Sequence, residues 1–382
     1  MNPHQLLTDP KQIETVRSIR RLDKEGYLYH MNCTYNYYDL PQPFQAMIDA
    51  GCSVFLTKNT EGDWLYCRNY DYSHYPMNQR KNERTGLNFV VEGHNPEAKY
   101  KSIGAADAYW IDFQNGSLAK GMADDGKTDL SPFILCPYLC MDGMNEKGFA
   151  VSILALSVES DWQEIPFDTY KEVLNENKNN FFLEKAGEVP SPYLLRAQNG
   201  SVAVNESDQK AWLSHQRWVE TKAPGKQTLL HPILMRLLLD NCATVEEAIA
   251  FAGQYNVKAA MPGADYHLFI ADRSGASKVL EWIGDDLVVT DINHTTNSYV
   301  AKKDLFLDRC PRDTILEGGL LRTKDAGMRE DFLMHLLGLV IQDPTNGIDQ
   351  SKTQYTCIYN LTKGTVRVFS YGDLSQHWDF SL

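Results

Sequence analysis

Short strand-prone runs, paired across turn residues, constrain the fold of this 382-residue chain more than any other feature. The first pair begins at Cys52: residues 52–57 are β-prone, 59–63 supply turn residues, and 64–68 are β-prone again. Such pairing predicts a hairpin that opens at Cys52. Further strand-prone runs, most of them also paired by Gly, Asp or Asn turns, are 149–158, 267–271, 279–283, 287–290, 355–359 and 365–369.

Helical patterns interrupt the strands in two blocks. Residues 231–241 and 244–255 form one block, in which Thr244 and Glu247 have the spacing of a capping box, and 328–341 form the other. Grouped strands and grouped helices predict an α+β fold in which apolar helix faces cover antiparallel sheets. Repeats and long Pro/Gly/Ser linkers are absent from the sequence, which favours one main domain.

Two segments lie outside this pattern. Residues 1–51 contain a polar helical stretch at 10–22 and end in Gly51, and we interpret them as an N-terminal leader, or propeptide, before the first strand. Residues 52–382 are then the main domain. Within that domain, 159–227 is polar, charged and weakly periodic, which predicts an insertion or a lid over the site.

Composition excludes several classes of function. A net charge of -13 argues against a nucleic-acid-binding face. No apolar run is long enough to cross a bilayer, and the first 21 residues lack the apolar core of a secretory signal, so we expect a cytoplasmic location. Cys136 and Cys140 have no second Cys or His pair at zinc-site spacing. We expect neither a metal nor a cofactor.

The hairpin carries the first candidate residues. Arg68 and Asp71, in Arg68-Asn69-Tyr70-Asp71, lie at the far end of the hairpin that Cys52 opens, so the returning strand brings them back to the cysteine. A cysteine alone is weak evidence, because most cysteines are small buried apolar residues. A cation near the sulfur, however, favours the reactive thiolate.

Several motifs in order resemble those of the choloylglycine hydrolase family, the linear amide C-N hydrolases, which include bile salt hydrolases and penicillin V acylases. They are Gly51-Cys52, Arg68-Asn69-Tyr70-Asp71, Asn145-Glu146-Lys147-Gly148-Phe149-Ala150 and Thr296-Asn297-Ser298. The resemblance covers most of the chain from Cys52 to Tyr371. It implies a four-layer αββα sandwich of the N-terminal-nucleophile hydrolases, with two antiparallel sheets.

The resemblance also implies roles for individual residues. Cleavage between Gly51 and Cys52 would make the cysteine residue one, so that its own α-amine, with an ordinary pKa near 8, could accept the thiol proton. Arg68 would stabilise the thiolate and Asp71 would hold the α-ammonium group. Asn297 would donate its amide to the oxyanion of the tetrahedral intermediate. Arg312 resembles a later arginine near the site of the family, and Arg309 competes with it for that position.

Three departures from the family pattern affect what can be carried over. Ala155 occupies the position of a second oxyanion asparagine, so a backbone N–H would have to replace that donor. An insertion that helps bile salt hydrolases assemble as tetramers, expected between Asn297 and Arg312, is absent. Some fifty residues precede the cysteine, which implies activation by cutting, with self-cleavage at Gly51 as our hypothesis.

The sequence therefore predicts an amide hydrolase that cleaves a linear non-peptide amide, bile-salt-like or penicillin-V-like, through a thioester on Cys52. The expected partner is a small-molecule N-acyl amide, and self-association as a homo-oligomer is left open. Two alternatives remain. One is an acyltransferase of the same fold, and the other is a catalytically inactive homologue that acts as a binding protein, for which the alanine at position 155 is the best support.

Overall fold

A computed structural model describes residues 7–40, 52–72, 87–108, 130–156, 219–259, 265–301, 310–343 and 351–382, and the backbone alone of 196–197 and 200–201. In chain order the strands are β1 (Arg20–Arg21), β2 (Leu28–Cys33), β3 (Ser53–Lys58), β4 (Trp64–Tyr72), β5 (Asn88–Gly93), β6 (Ser102–Asp107), β7 (Cys140–Asn145), β8 (Ala150–Leu156), β9 (Arg196–Ala197), β10 (Gly200–Ser201), β11 (Gln227–Leu230), β12 (Tyr255–Lys258), β13 (Asp265–Ala271), β14 (Ser277–Ile283), β15 (Asp286–Asp291), β16 (His294–Thr295), β17 (Lys352–Asn360), β18 (Thr365–Ser370) and β19 (Asp373–Ser381).

Two large sheets contain most of these strands. The first, here called the large sheet, has nine described strands in the order β1-β2-β5-β6-β7-β8-β13-β14-β15. The second, the small sheet, has six in the order β16-β3-β4-β17-β18-β19. Every pairing in both sheets is antiparallel except that of β2 with β5.

Helices cover the outer faces of both sheets. The described α-helices are α1 (Pro10–Ser18), α2 (His231–Asn241), α3 (Val245–Ala252), α4 (Pro311–Thr323) and α5 (Glu330–Leu339). The helix α2 packs on β7 and β8 and α3 on β13 and β14, whereas α4 packs on β3 and β16 and α5 on β4. The layers are therefore helix, sheet, sheet, helix, and the predicted αββα sandwich with its α+β fold class is confirmed.

Two apolar clusters follow from the alternation of side chains along the strands. In β3, Val54 and Leu56 belong to the main core between the sheets, whereas Phe55 belongs to a second cluster under α4 and α5. In β4, Tyr66 likewise faces the main core, and Leu65 faces the helices. Successive side chains of a strand point to opposite faces, so both faces of the small sheet are buried.

Most predicted elements are found close to their predicted positions. The hairpin from Cys52 is present as β3 and β4, and α2 spans the predicted 231–241. Thr244 caps α3 by accepting the N–H of Glu247 at 3.2 Å. The carboxylate of Glu247 accepts the N–H of Ala243 rather than that of Thr244, at 2.7 Å, so the capping box is shifted by one residue.

The expectation that the first strand begins after Cys52 was wrong. Residues 7–40 form α1, β1 and β2, and β2 lies inside the large sheet between β1 and β5. Leu28 and Met31 of β2 and, beyond it, Tyr35 and Tyr37 are buried in the main core. The division into a leader (1–51) and a main domain (52–382) remains a prediction.

Three earlier predictions fall wholly or largely outside the described residues: the Gly51 side of the cleavage site, the competing Arg309, and 159–218 of the predicted insertion. The end of that insertion is described, and Thr221 donates its N–H to the carbonyl oxygen of Val257 at 2.9 Å. None of the described helices is long and apolar enough to span a membrane.

Candidate active site

Cys52 lies at the start of β3, between the two strands that flank it. Val54 is opposite Arg68 in β4 and opposite Thr295 in β16. Because side chains alternate along a strand, Cys52 shares the face of Val54, which is turned toward the large sheet. Arg68 is therefore a diagonal neighbour on one side, and continuing the register of β16 by two positions brings Asn297 beside the cysteine on the other.

The Cys52 sulfur is buried and has two polar neighbours. The side chain of Arg68 donates from Nη2 to Sγ at 3.1 Å, and the thiol donates to the carbonyl oxygen of Asp71 at 3.9 Å. Only 1% of Cys52 is exposed, so these contacts are made away from water. The sulfur is held between a cation and a carbonyl group.

Burial raises the pKa of the Cys52 thiol above its ordinary value, and the Asp71 carboxylate acts in the same direction. Arg68 and Arg312 lower the pKa but do not cancel the effect of burial. In the uncut chain, in which Cys52 has no free amine, the sulfur therefore stays protonated at neutral pH. A thiolate at this position requires a base that takes the proton.

Arg68 is fixed by groups from the large sheet. Its Nε donates to a carboxylate oxygen of Asp142 at 3.0 Å, and Nη2 donates to the carbonyl oxygen of Ile153 at 2.7 Å. Although burial opposes the charged form, Cys52 and Asp142 raise the pKa of Arg68, which stays cationic. Its buried Nη1 has no hydrogen-bond partner among the described residues.

Asp142 was not predicted from the sequence, yet it holds the arginine in place. Tyr355 donates its hydroxyl to Asp142 at 2.8 Å, and Tyr359 donates to the other carboxylate oxygen. Burial raises the pKa of both phenols, so they remain donors. The signal that could have revealed this residue is an acid within the apolar stretch 139–144.

A second ion pair links the other predicted residues. Arg312, near the start of α4, donates from Nη1 to Asp71 at 2.7 Å and from Nη2 to the side-chain oxygen of Asn297 at 2.9 Å. Burial opposes the charged form, but Asp71 raises the pKa of Arg312. The hydroxyl of Thr353 donates to the other oxygen of Asp71. Arg312 thus contacts two of the other predicted residues, and its assignment as the later arginine stays a prediction.

Asn297 is oriented by bonds at both ends of its amide. Its oxygen accepts from Arg312, and its Nδ2 donates to the carbonyl oxygen of Ala155 at 2.6 Å. One amide hydrogen is therefore used within the protein, while the described residues provide no partner for the other. Ala155 occupies the position at which the resemblance implies a second oxyanion asparagine. In the structure, its carbonyl oxygen accepts the hydrogen bond from Asn297. The replacement of that donor by a backbone N–H remains a prediction.

The structure therefore joins all five predicted residues through one continuous set of hydrogen bonds, in which Asp71 contacts Arg312 through its carboxylate and Cys52 through its backbone carbonyl. The order of contacts is Asn297, Arg312, Asp71, Cys52 and Arg68. Within the described ranges, no group of three or more His, Cys, Asp or Glu side chains is arranged to hold a metal ion.

The chain was compared with protein-family models, curated proteins and solved structures. No family model and no curated protein matches it, whereas solved structures do. Two variants of the conjugated bile acid hydrolase from Clostridium perfringens are 16% identical to it with a TM-score of 0.46, over 87% and 86% of this chain and 92% of each of theirs. Penicillin V acylase from Agrobacterium tumefaciens is 15% identical with a TM-score of 0.44, over 87% of this chain and 86% of its own. The chain is similar to these proteins in overall arrangement.

Proposed function

We propose that this protein is an amide hydrolase of the choloylglycine hydrolase type whose nucleophile is Cys52, activated as the N-terminal residue. The observation that carries the proposal is the contact of the Arg68 guanidinium with the Cys52 sulfur, 3.1 Å away, in a site that also contains Asp71, Arg312 and Asn297. The order and spacing of the family-like motifs agree with this geometry.

Acylation begins with a proton transfer. The free α-amine of Cys52 takes the thiol proton, and Arg68 stabilises the resulting thiolate. Asp71, whose carbonyl oxygen lies 3.9 Å from the sulfur, holds the α-ammonium group. The thiolate attacks the amide carbonyl carbon, a C–S bond forms, and the carbonyl π electrons move to oxygen. The intermediate then collapses, the C–N bond breaks, and the α-ammonium returns its proton to the leaving amine.

Charge on the oxygen of the intermediate is stabilised by Asn297. Its remaining amide hydrogen is the donor, and the bonds to Arg312 and Ala155 fix the direction of that hydrogen. A single donor of this kind contributes about 3 to 4 kcal/mol to transition-state stability. Arg68 Nη1, buried and without a partner among the described residues, is the candidate for a second donor.

Deacylation repeats these roles with water as the nucleophile. The α-amine takes a proton from water, hydroxide adds to the thioester carbonyl, and collapse breaks the C–S bond. The products are a carboxylic acid and the free cysteine. Because the thiol in the uncut chain has a raised pKa, a base is needed, and the α-amine supplies it without a histidine. We propose small linear N-acyl amides as the substrate class.

Activation in this scheme is the cutting of the bond between Gly51 and Cys52. Cys52 attacks the Gly51 carbonyl, the acyl group moves from nitrogen to sulfur, and water releases the new N-terminus. Cutting this bond leaves β2 paired with β5 and leaves the Tyr37 hydroxyl bonded to the Asp240 carboxylate at 2.9 and 3.0 Å. We therefore propose that residues 1–51 stay bound as a separate chain after cleavage.

Mass spectrometry of the purified protein tests this proposal. Wild type should give two chains under denaturing conditions, the larger beginning at Cys52, and both should elute together from a sizing column under native conditions. The variant Cys52→Ala should remain one intact chain with no amidase activity. Cys242→Ala, in which another buried cysteine is replaced, should be cut and active like wild type.

The mechanism would be contradicted if the wild-type protein hydrolysed N-acyl amides while the peptide bond between Gly51 and Cys52 was still intact. Loss of residues 1–51 from the native particle would contradict their retention, without affecting the assignment of the nucleophile.

A further inference from the structure

The segment 296–301, which carries Asn297, is held at both ends by two buried side chains of the large sheet. Nε2 of His267 in β13 lies 2.9 Å from the carbonyl oxygen of Thr296, which accepts a hydrogen bond from it. Glu281 in β14 accepts the backbone N–H groups of Val300 and Ala301, each at 2.7 Å. Both side chains are 0% exposed, and the hydrolytic steps above use neither of them.

These two side chains also contact each other, with 3.1 Å between His267 Nδ1 and Glu281 Oε1. Burial opposes the charged form of Glu281, but the hydrogen bond from His267 and the two backbone N–H groups lower the pKa of the carboxyl below its ordinary value. The carboxylate is therefore ionised and can only accept. Glu281 receives three donors and connects the imidazole to the far end of the segment.

Both ring nitrogens of His267 face acceptors. A carboxylate oxygen of Glu281 faces Nδ1, and the carbonyl oxygen of Thr296 faces Nε2. The imidazole therefore bridges the side chain of Glu281 and the backbone of the segment 296–301. His231, which interacts electrostatically with His267, contacts the carbonyl oxygen of Lys258 rather than the segment 296–301.

We propose that His267 and Glu281 are positioning residues that hold the segment 296–301 so that the Asn297 amide points at the reacting carbonyl. The inference rests on the proposed role of Asn297. The fixed ends lie on either side of Asn297, and a third bond, from the Tyr299 hydroxyl to Asp265, ties the middle of the segment to β13. The pair acts through the backbone and touches no reacting atom.

Two neighbouring strands, β8 and β13, connect Asn297 to the rest of the site. His267 is opposite Leu154 in β8, next to Ala155, whose carbonyl oxygen accepts from Asn297. The same two strands, β8 and β13, thus fix both the backbone and the side chain of the donor residue. A displacement of about 1 Å at a reacting group can lower a rate roughly 100-fold, so loss of the pair should affect catalysis strongly.

Three variants separate positioning from general destabilisation. Glu281→Gln and His267→Gln each alter the contact between the two side chains and approximately keep side-chain volume, whereas His231→Gln changes a buried histidine that bonds to the Lys258 carbonyl instead. For each variant we would measure the acylation rate with a chromogenic N-acyl amide, the alkylation rate of Cys52 by iodoacetamide, and amide hydrogen exchange at Val300 and Ala301.

The expected result for Glu281→Gln and His267→Gln is an acylation rate lower by about 100-fold, an alkylation rate within about twofold of wild type, and faster exchange at Val300 and Ala301. His231→Gln should match wild type in all three. An acylation rate within about threefold of wild type, or a parallel loss of alkylation, would overturn the proposal. In case the variants do not fold, amide hydrogen exchange of wild type should show Val300 and Ala301 strongly protected by their bonds to Glu281, and rapid exchange at both amides would refute the arrangement.

Failure of the proposed function gives a different pattern. If wild type forms no acyl-enzyme, the role of Asn297 in hydrolysis is wrong and the positioning proposal fails with it. If wild type is acylated and the two variants are acylated equally fast, only the positioning proposal fails.

Discussion

Replacement of Asn297 by alanine tests the proposed oxyanion donor separately from the rest of the site. The variant loses the amide that donates to Ala155 and the oxygen that accepts from Arg312 at 2.9 Å. Arg312 keeps its bond to Asp71 at 2.7 Å, and Arg68 keeps its bond to the sulfur at 3.1 Å. Removal of one such donor costs about 3 to 4 kcal/mol, so the acylation rate should fall by about 100- to 1000-fold.

A single-turnover assay measures this loss directly. The release of the amine from a chromogenic N-acyl amide, with enzyme in excess, reports the acylation step alone. The alkylation rate of Cys52 by iodoacetamide, measured beside it, should change little because the sulfur keeps its contact with Arg68. Asn293→Ala, an exposed asparagine four residues away on the same connection, serves as the matched control and should retain the wild-type acylation rate.

Comparison with an isosteric variant sharpens the test. Asn297→Asp preserves size and can still pair with Arg312, but its carboxylate places negative charge where the oxyanion forms. We expect a larger loss than in Asn297→Ala. The reasoning is refuted if Asn297→Ala is acylated within tenfold of the wild-type rate, or if Asn297→Asp is faster than Asn297→Ala.

Two further predictions follow from the shifted pKa values of Cys52 and His231. Arg68→Gln removes the cation that lowers the pKa of Cys52, so the pH profile of Cys52 alkylation should move upward, whereas Arg236→Gln, at another fully buried arginine, should leave that profile unchanged; an unshifted Arg68→Gln profile would be contrary to the role given to this cation. His231 has a pKa lowered by burial to about 4 in the folded protein, so its contribution to stability is complete above about pH 6.5 and is lost as the pH falls toward 4. In urea denaturation, wild type should lose about 3 kcal/mol more than His231→Gln between pH 7 and pH 4, and equal losses would disprove this.

The sequence predicted elements best where a single pattern dominates. The hairpin β3–β4 and the helix α2 have uninterrupted apolar patterns and were found at their predicted positions. The helix α4 was missed because Gly318 and Gly319 weaken a helical pattern. The structure explains the second glycine: a Cβ on Gly319 would lie 2.7 Å from a methyl carbon of Leu336, so close packing of α4 on α5 requires glycine there.

The strands of the large sheet that escaped prediction contain polar residues with partners distant in the chain. β2 includes His30, whose Nε2 lies 2.8 Å from Glu92 in β5. β7 contains Asp142, which pairs with Arg68 in the other sheet. Such residues lower the strand signal of a local window, and only tertiary contacts between the sheets satisfy them. The local sequence pattern therefore underestimates the number of strands in a sheet that is buried on both faces.

The site could be predicted to the extent that it depends on motif residues with known family roles. Cys52, Arg68, Asp71, Asn297 and Arg312 were all named, and the structure places them in one bonded set. Asp142, His267 and Glu281 were missed because none of them belongs to a recognised motif. Asp142 has a weak local signal, an acid within the apolar stretch 139–144, whereas nothing in the local sequence of His267 or Glu281 distinguishes them from ordinary core polar residues. Their significance follows only from the donors and acceptors that surround them.

The position of the proposed nucleophile, Cys52, immediately before β3 follows from two geometric requirements. The side chain must face the large sheet, where Arg68 lies, and the backbone nitrogen must be free to act as a base. A cysteine at position 53 would point to the opposite face, toward α4 and α5, because side chains alternate along the strand. A cysteine at position 54 would face the arginine, but its nitrogen would lie within a strand paired with β4 and β16. Position 52 satisfies both requirements once the bond to Gly51 is cut, and this links the proposed cleavage to the fold itself.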